Sequence, residues 1–338
     1  MQKFQINRVE PGSYRKEIIT LWENNLPDTP YKRLEWMADN PEGPAVWYLA
    51  FYEEGRKVAG SISVMPRRVK ISGKTYVAGI VGDFVIEKAY RVFGPALQLM
   101  NTVVNDYSRL GLAFLYTFPN QASEAIALRG GFKRIGFTSR FVKPFRTKNK
   151  LAKYVHPVLA NIISQGLDFA LKLFSRETYM RTNMLSDQIR ELNSGYDSFR
   201  GEIENTYRVL GERSREYLKW RYFENPLYSF NMYTFRQTSS GSMLGYVIFT
   251  SLHNRIHIFD IVCSQEEVFK RMLGQFLRDA RRDGYDSVSI RMLNDNPLCS
   301  CIKLFGFMDR KENVALQVFG DCNFSSKEWV FFDGDRNI

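Results

Sequence analysis

The 338-residue chain has four cysteines (Cys263, Cys299, Cys301, Cys322) with no CxxC pair among them, and three histidines (His156, His253, His257). That excludes a disulfide framework and gives no basis for a histidine metal site, so no metal is expected. No apolar run reaches the roughly 18 uncharged residues that a membrane span needs. The start of the chain has neither a basic n-region nor an apolar h-region, so a reduced, cytoplasmic protein is expected. Also missing are the Lys-[ST] end of a Walker loop and the GxGxxG of a dinucleotide fold. Apolar residues are plentiful at 44%, with 25% charged, which suits two globular cores and needs no staple. Acidic residues fall short of basic ones, 36 against 47, a formal charge of +11. An anionic partner follows: nucleic acid, a membrane surface or a phosphorylated cofactor.

The positive charge is concentrated. Between Lys143 and Arg181 stand eight basic residues and two acidic ones, over half the net charge in under an eighth of the chain. Within it, Val155, Val158, Leu159, Ile162 and Ile163 recur at helical spacing, as do Leu167, Ala170, Leu171 and Phe174. Pro157 suits a first helical turn, and Gly166 is a candidate kink. An apolar face with basic flanks fits an interfacial membrane helix, which would put a peripheral membrane contact at 146–181. It equally fits a helix packed between two domains with solvated lysines.

A repeat runs through the chain at a separation of 175–185 residues. Leu34-x-Trp36 with Asn40-Pro41 returns as Leu218-x-Trp220 with Asn225-Pro226. Each is followed by a strand pair (46–53 with 58–64; 230–236 with 243–250) and a strand holding an aspartate, Asp83 or Asp260. An amphipathic helix, another strand, a short helix and a Gly-Phe step complete each copy. The expected fold is therefore α+β: two tandem units, each a central mixed, mostly antiparallel sheet flanked by helices. The expected boundaries are 1–145, a basic helical connector at 146–182, and 183–338. Trp36, Trp220 and Tyr222 admit a sugar platform, but Leu-x-Trp in both copies reads more simply as helix packing. Cys299 and Cys301 read as ordinary small apolar residues.

The segment richest in chemistry is Asp83 to Ala96. A strand runs to Ile86, and a helix starts near Gly94 with Pro95 in its first turn. Unpaired N–H groups and the helix dipole favour an anion there, and Gly94 and Ala96 let it approach the backbone, an arrangement suited to a pyrophosphate. Arg91, Gly94 and Ala96 also fit the register [RQ]-x-x-G-x-[GA], with Tyr90 before them. This loop resembles the acetyl-CoA loop of the GNAT superfamily of N-acyltransferases. Asn120, the short helix after it and Gly131-Phe132 extend the resemblance across about residues 3–140, and a second copy resembles the same fold from about 184 to 320.

The resemblance implies an acetyl-CoA or other acyl-CoA cofactor held by Val85, Ile86, Arg91, Val92, Phe93, Gly94, Pro95, Ala96 and Asn120. It implies backbone donors at Val85 and Ile86 for the thioester. Asp83 and Glu87 are the candidate bases, and Tyr116 is a candidate proton donor. The tyrosine that often serves as the acid in that family has no counterpart, since Ala127 stands seven residues after Asn120. The second copy lacks the loop motif and carries Glu266 and Glu267 there, which would repel a pyrophosphate. One cofactor site is expected, in the first copy. Leu218 to Tyr222 with Asn225-Pro226 also resembles tandem GNAT-like proteins of cell-envelope polysaccharide synthesis. The expected activity is N-acylation of a small-molecule or lipid-linked amine, such as an amino sugar, with nucleic acid not favoured as partner. The alternatives are an aminoacyl-tRNA-dependent transferase of peptidoglycan or lipid, and a binding protein without catalysis.

Overall fold

A computed structural model describes residues 4–26, 29–52, 57–91, 94–182, 184–193 and 195–337. Its first unit contains strands β1 (Gln5–Val9), β2 (Val46–Tyr52), β3 (Lys57–Ile71), β4 (Lys74–Ile86), β5 (Phe114–Thr117) and β6 (Lys133–Pro144). The second repeats them as β7 (Met184–Ile189), β8 (Phe230–Gln237), β9 (Met243–Leu252), β10 (Arg255–Cys263), β11 (Ser287–Leu293) and β12 (Val314–Phe319). Helices α1 (Arg15–Asn25), α2 (Lys32–Ala38), α3 (Pro95–Asp106) and α4 (Gln121–Arg129) belong to the first unit. The connector holds α5 (Lys148–Leu151) and α6 (Pro157–Leu173). In the second unit stand α7 (Gly195–Thr206), α8 (Arg215–Leu218), α9 (Glu266–Arg282) and α10 (Leu298–Leu304).

All twelve strands join one sheet in the order β1-β2-β3-β4-β5-β12-β6-β11-β10-β9-β8-β7. The order is a palindrome in the repeat. Each unit sends its last strand into the other half: β12 lies between β5 and β6, and β6 pairs with β11 from Ser287↔Pro144 to Leu293↔Thr138. The pairs β4–β5 and β10–β11 are parallel; the other pairs along this order are antiparallel.

The elements follow from their patterns. β2 is a nearly unbroken apolar run, VWYLAFY, buried on both faces. α3 turns Leu99, Met100 and Val103 onto one face of the sheet, where they meet Tyr48, Ile62, Val64, Leu115 and Ala127. α9 turns Val268, Phe269, Met272, Leu273, Phe276 and Leu277 inward. A larger core runs between the units on the other face and contains Trp36 and Trp220. Those two rings stack with centroids 4.4 Å apart and planes 6° apart. Each indole N–H donates to the other tryptophan's backbone carbonyl, at 2.9 and 2.8 Å. The repeated Leu-x-Trp is thus a packing device at the pseudo-twofold axis and no sugar platform.

The connector is anchored by polar contacts. The Thr147 N–H and hydroxyl both donate to Asp168 at 2.8 Å, and buried Lys143 and half-buried Arg281 pair with buried Glu177 at 3.2 and 3.1 Å. α6 continues through Gly166, and of its residues only Ala160 and Ser164 are buried. It does not pack between the units. Phe174 is 86% exposed, Phe169 67%, Ile162 63% and Val158 62%. Among the described residues, no helix is long and apolar enough to cross a membrane.

Candidate active site

β4 and β5 pair only over Ala78–Val81 with Phe114–Thr117. Beyond Val81 the strands part, so one edge of β4 from Gly82 to Ile86 has no partner strand among the described residues. The divergence starts at a bulge between Ser61 and Ser63 of β3, opposite Asp83. Asp83 takes a left-handed φ of +47°. Such a φ costs a non-glycine residue about 1–3 kcal/mol, and here its polar partners hold it. The Asp83 carboxylate, 4% exposed, pairs with Arg33 and accepts from Ser63 Oγ at 2.6 Å and Asn337 Nδ2 at 3.2 Å. Ser61 Oγ donates to the Asp83 carbonyl at 3.0 Å. Arg33 also donates to Asn337 Oδ1 at 2.8 Å. Gly82 makes this possible, because a Cβ there would lie 1.6 Å from Asn337 Nδ2.

The parted strands enclose a cleft of about 310 Å³ lined by Arg33, Gly82, Asp83, Phe84, Thr117 and Asn120. Asn120 caps α4, its side-chain oxygen accepting from the Ala122 and Ser123 N–H groups at 3.0 Å. Ala127 of α4 is also part of the wall.

Past the open edge, the chain makes a short turn at Lys88–Tyr90 and enters α3 through Gly94, at φ +85°. Arg91 is exposed; its Nε donates to the Ile86 carbonyl at 3.1 Å and its Nη2 to Asn25 Oδ1 at 2.9 Å. Among the described residues, a Cβ on Gly94 would meet nothing within 4 Å, so they leave the helix start uncovered. Pro95 is buried at the first helical position and Ala96 half-buried. Val92 and Phe93 lie outside the described residues. The open edge at Val85–Ile86, the accessible helix start and Arg91 together fit a pantetheine arm ending in a pyrophosphate.

The other candidates lie elsewhere. Glu87 accepts from Asn24 and Asn25 at 3.4 and 3.3 Å and from the Lys88 N–H at 2.9 Å, outside the cleft lining. Tyr116 points to the opposite face of β5. It is fully buried against Trp329, and its hydroxyl donates to the Asp335 carbonyl at 3.2 Å. Burial pushes its hydroxyl well above the usual phenol range. Sequence reasoning missed Arg33, Ser63, Asn25 and Asn337. Only the Gly82-Asp83 step carried a signal, an aspartate beside a residue without a side chain.

No protein-family model and no curated protein matches the chain. Solved structures do. A GCN5-related N-acetyltransferase from Anabaena variabilis matches at TM-score 0.68 and 12% identity, over 94% of this chain and 72% of its own. One from Kribbella flavida matches at TM-score 0.62 and 12% identity, over 94% and 71%. Saccharomyces cerevisiae N-myristoyltransferase with bound myristoyl-CoA matches at TM-score 0.61 and 10% identity, over 95% and 79%. The chain has the GNAT fold.

The second unit differs at the matching place. β10 and β11 pair over Arg255–Ile258 with Ser287–Ile290 and then part, as in the first unit. Here the gap is filled by the chain itself. Phe332 bridges to Met292, and Arg221 Nε donates to the Gly334 carbonyl at 3.0 Å. A Cβ on Gly334 would sit 1.9 Å from the Tyr222 hydroxyl. Asp260, the counterpart of Asp83, is buried against Arg213 at 2.8 Å and Tyr246 at 2.9 Å. Arg213 also holds Asp335 at 2.9 Å.

Asp333, in the same GNAT-unit filling, faces His257 Nε2 at 2.6 Å and Arg336 at 2.9 Å. Burial pushes its carboxyl up, but the His257 hydrogen bond and the charges of Arg336 and Arg291 outweigh that and lower it to about 2. Its folded value lies below the unfolded one, so its contribution is complete above the unfolded pKa of about 4 and is lost as pH falls through about 2. About 2 kcal/mol of stability should disappear over that window. Urea unfolding from pH 5 to pH 2 checks this: Asp333→Asn should flatten that part of the acid limb, and an unchanged limb would count against it.

Proposed function

We propose that the protein is an acyl-CoA-dependent N-acyltransferase with one cofactor site, in the first unit. The observation that carries this is the open edge of β4 leading to the uncovered start of α3 at Gly94. Bound acyl-CoA supplies a thioester carbonyl, and the chain's residues position it. The β4 edge offers backbone N–H groups for the developing oxyanion, and Arg91 with the α3 start offers positive potential to the pyrophosphate. Asp83, locked by Arg33, Ser63 and Asn337, fixes the bulge that opens the cleft. α4 has no tyrosine to protonate a leaving thiolate, so the proton that the attacking amine gives up would reach the sulfur by way of water. The acceptor amine enters past Arg33 and Asn337. An amino sugar of cell-envelope polysaccharide synthesis, nucleotide- or lipid-linked, is the acceptor class this reading favours.

Calorimetry with CoA tests the reading, with one CoA bound per chain as the expected result. Two CoA per chain would contradict the filled second cleft, and no binding would remove the cofactor reading altogether.

α6 supports a place at the cytoplasmic membrane face. Val158, Leu159, Ile162, Ile163, Phe169 and Phe174 are exposed, and Lys148 and Lys172 on the same connector are exposed as well. Interfacial helices bind by that combination of apolar burial and attraction to anionic lipid. Ile162→Asp with Ile163→Asp should leave the melting temperature within a degree or two, since both side chains are solvated. It should cut binding to vesicles containing phosphatidylglycerol by about tenfold or more. Equal vesicle binding by variant and parent would refute the membrane role.

A further inference from the structure

A second concavity lies outside the acyl-CoA cleft. It is a groove of about 790 Å³ floored by β10, β11 and β6 and walled by the start of the connector. Its size is that of a ligand pocket. Its charge is one-sided. Arg146, Lys150, Lys153, Arg255 and Arg310 all line it, and no ion pair engages any of the five among the described residues. The neighbouring Arg140 and Arg291 are offset by Glu312 at 3.4 and 3.0 Å, and Arg336 by Asp333. The groove's Asp286 is occupied by Asn149 at 2.7 Å and Asn254 at 3.2 Å. Five unpaired cations from three chain segments repel one another, and a concave wall strengthens their shared field. On the floor, His257 and Ser289 sit side by side on β10 and β11, 2.9 Å apart, and both are already engaged, His257 with Asp333 and Ser289 with the Ile256 carbonyl. Arg336 and Asn337 line both this groove and the acyl-CoA cleft, so the two adjoin.

We propose that this groove binds a phosphate group carried by the acyl acceptor, so that the substrate class is an amine bearing a phosphate ester or diester. The proposal rests on the N-acyltransferase reading for the word acceptor; the phosphate site stands on the groove alone. Guanidinium groups suit a phosphate because they donate to two of its oxygens at once. The position of Arg146, Lys150 and Lys153, just before α6, lets such a phosphate come from a lipid headgroup as readily as from a soluble ester.

The test uses the full chain saturated with CoA, so that the Arg91 loop is filled. Inorganic pyrophosphate and monomeric dihexanoyl phosphatidylglycerol are each titrated by calorimetry at low salt. The exposed pair Arg255→Ala with Arg310→Ala should weaken at least one probe by about tenfold or more while leaving CoA affinity unchanged. Loss confined to pyrophosphate assigns a soluble phosphate, and loss for the lipid assigns a headgroup. If neither probe binds, or neither responds to the double substitution, the groove is no phosphate site. Should CoA itself fail to bind, the same titrations in Arg91→Ala still read the groove, so the two ideas fail separately.

Discussion

Replacing Asp335 with alanine is expected to cost the folded protein about 3–5 kcal/mol, the usual penalty for stranding a buried charge. Asp335 is fully buried where the two units meet, between Arg67 and Arg213, themselves 1% and 2% exposed. Its oxygen Oδ2 also accepts from the Phe332 N–H at 2.9 Å. Burial pushes the Asp335 carboxyl up, but Arg213 and Arg67 outweigh it and leave it below the ordinary range. Asp260, which shares Arg213, is pushed the other way, chiefly by burial. Without Asp335, Arg213 keeps Asp260, but Arg67 has no other carboxylate in contact among the described residues. With an unfolding entropy of about 2.1 cal/mol/K per residue, a loss of that size lowers the melting temperature by about 5 °C. Urea unfolding should show a shifted midpoint at an unchanged slope, since the surface exposed is the same. Arg67→Met in the Asp335→Ala background should restore part of the loss by removing the stranded charge. A loss below about 1 kcal/mol, or no recovery, would mean that water reaches this cluster and screens it.

The repeat was legible because each copy must bury the same faces. Leu34-x-Trp36 and Leu218-x-Trp220 had to recur, since the two tryptophans pack on each other. Asp83 and Asp260 could be paired by register, and Gly94 by its place at a helix start. The exchange of β6 and β12 was not legible, because a strand's pattern records that it is buried and not which unit covers it. Periodicity found α6 but could not say that its apolar side faces outward, because a moment has no reference to the rest of the molecule. Nor could it show that Asn337 meets Asp83 across 254 residues of sequence, or that the second cleft is filled from within. Those contacts join residues with no shared local pattern. The net charge also divides differently in space: Arg146, Lys150 and Lys153 of the basic segment belong to the groove, and Lys172 belongs to the outer face.

Gly94→Val should weaken CoA binding by about a hundredfold, about 2.7 kcal/mol, while the fold survives. Two facts separate those effects. The φ of +85° makes any side chain pay, about 1–2 kcal/mol for the left-handed conformation. But among the described residues a Cβ at Gly94 meets no atom within 4 Å, so none of them must move to admit it. The added methyls would occupy the open space where a pyrophosphate reaches the N–H groups at the start of α3. Melting should therefore fall by only a few degrees, and calorimetry with CoA should show the larger effect. Pantetheine, which lacks the pyrophosphate and would lie along β4 from Gly82 to Ile86, should bind parent and variant alike. Arg91→Ala should reproduce the selectivity at smaller size, because it removes a charge and covers nothing. If Gly94→Val weakened pantetheine and CoA equally, the loss would come from a distorted β4 and not from a covered phosphate site. If it weakened neither, the pyrophosphate would lie elsewhere, and the open start of α3 would be a helix cap alone.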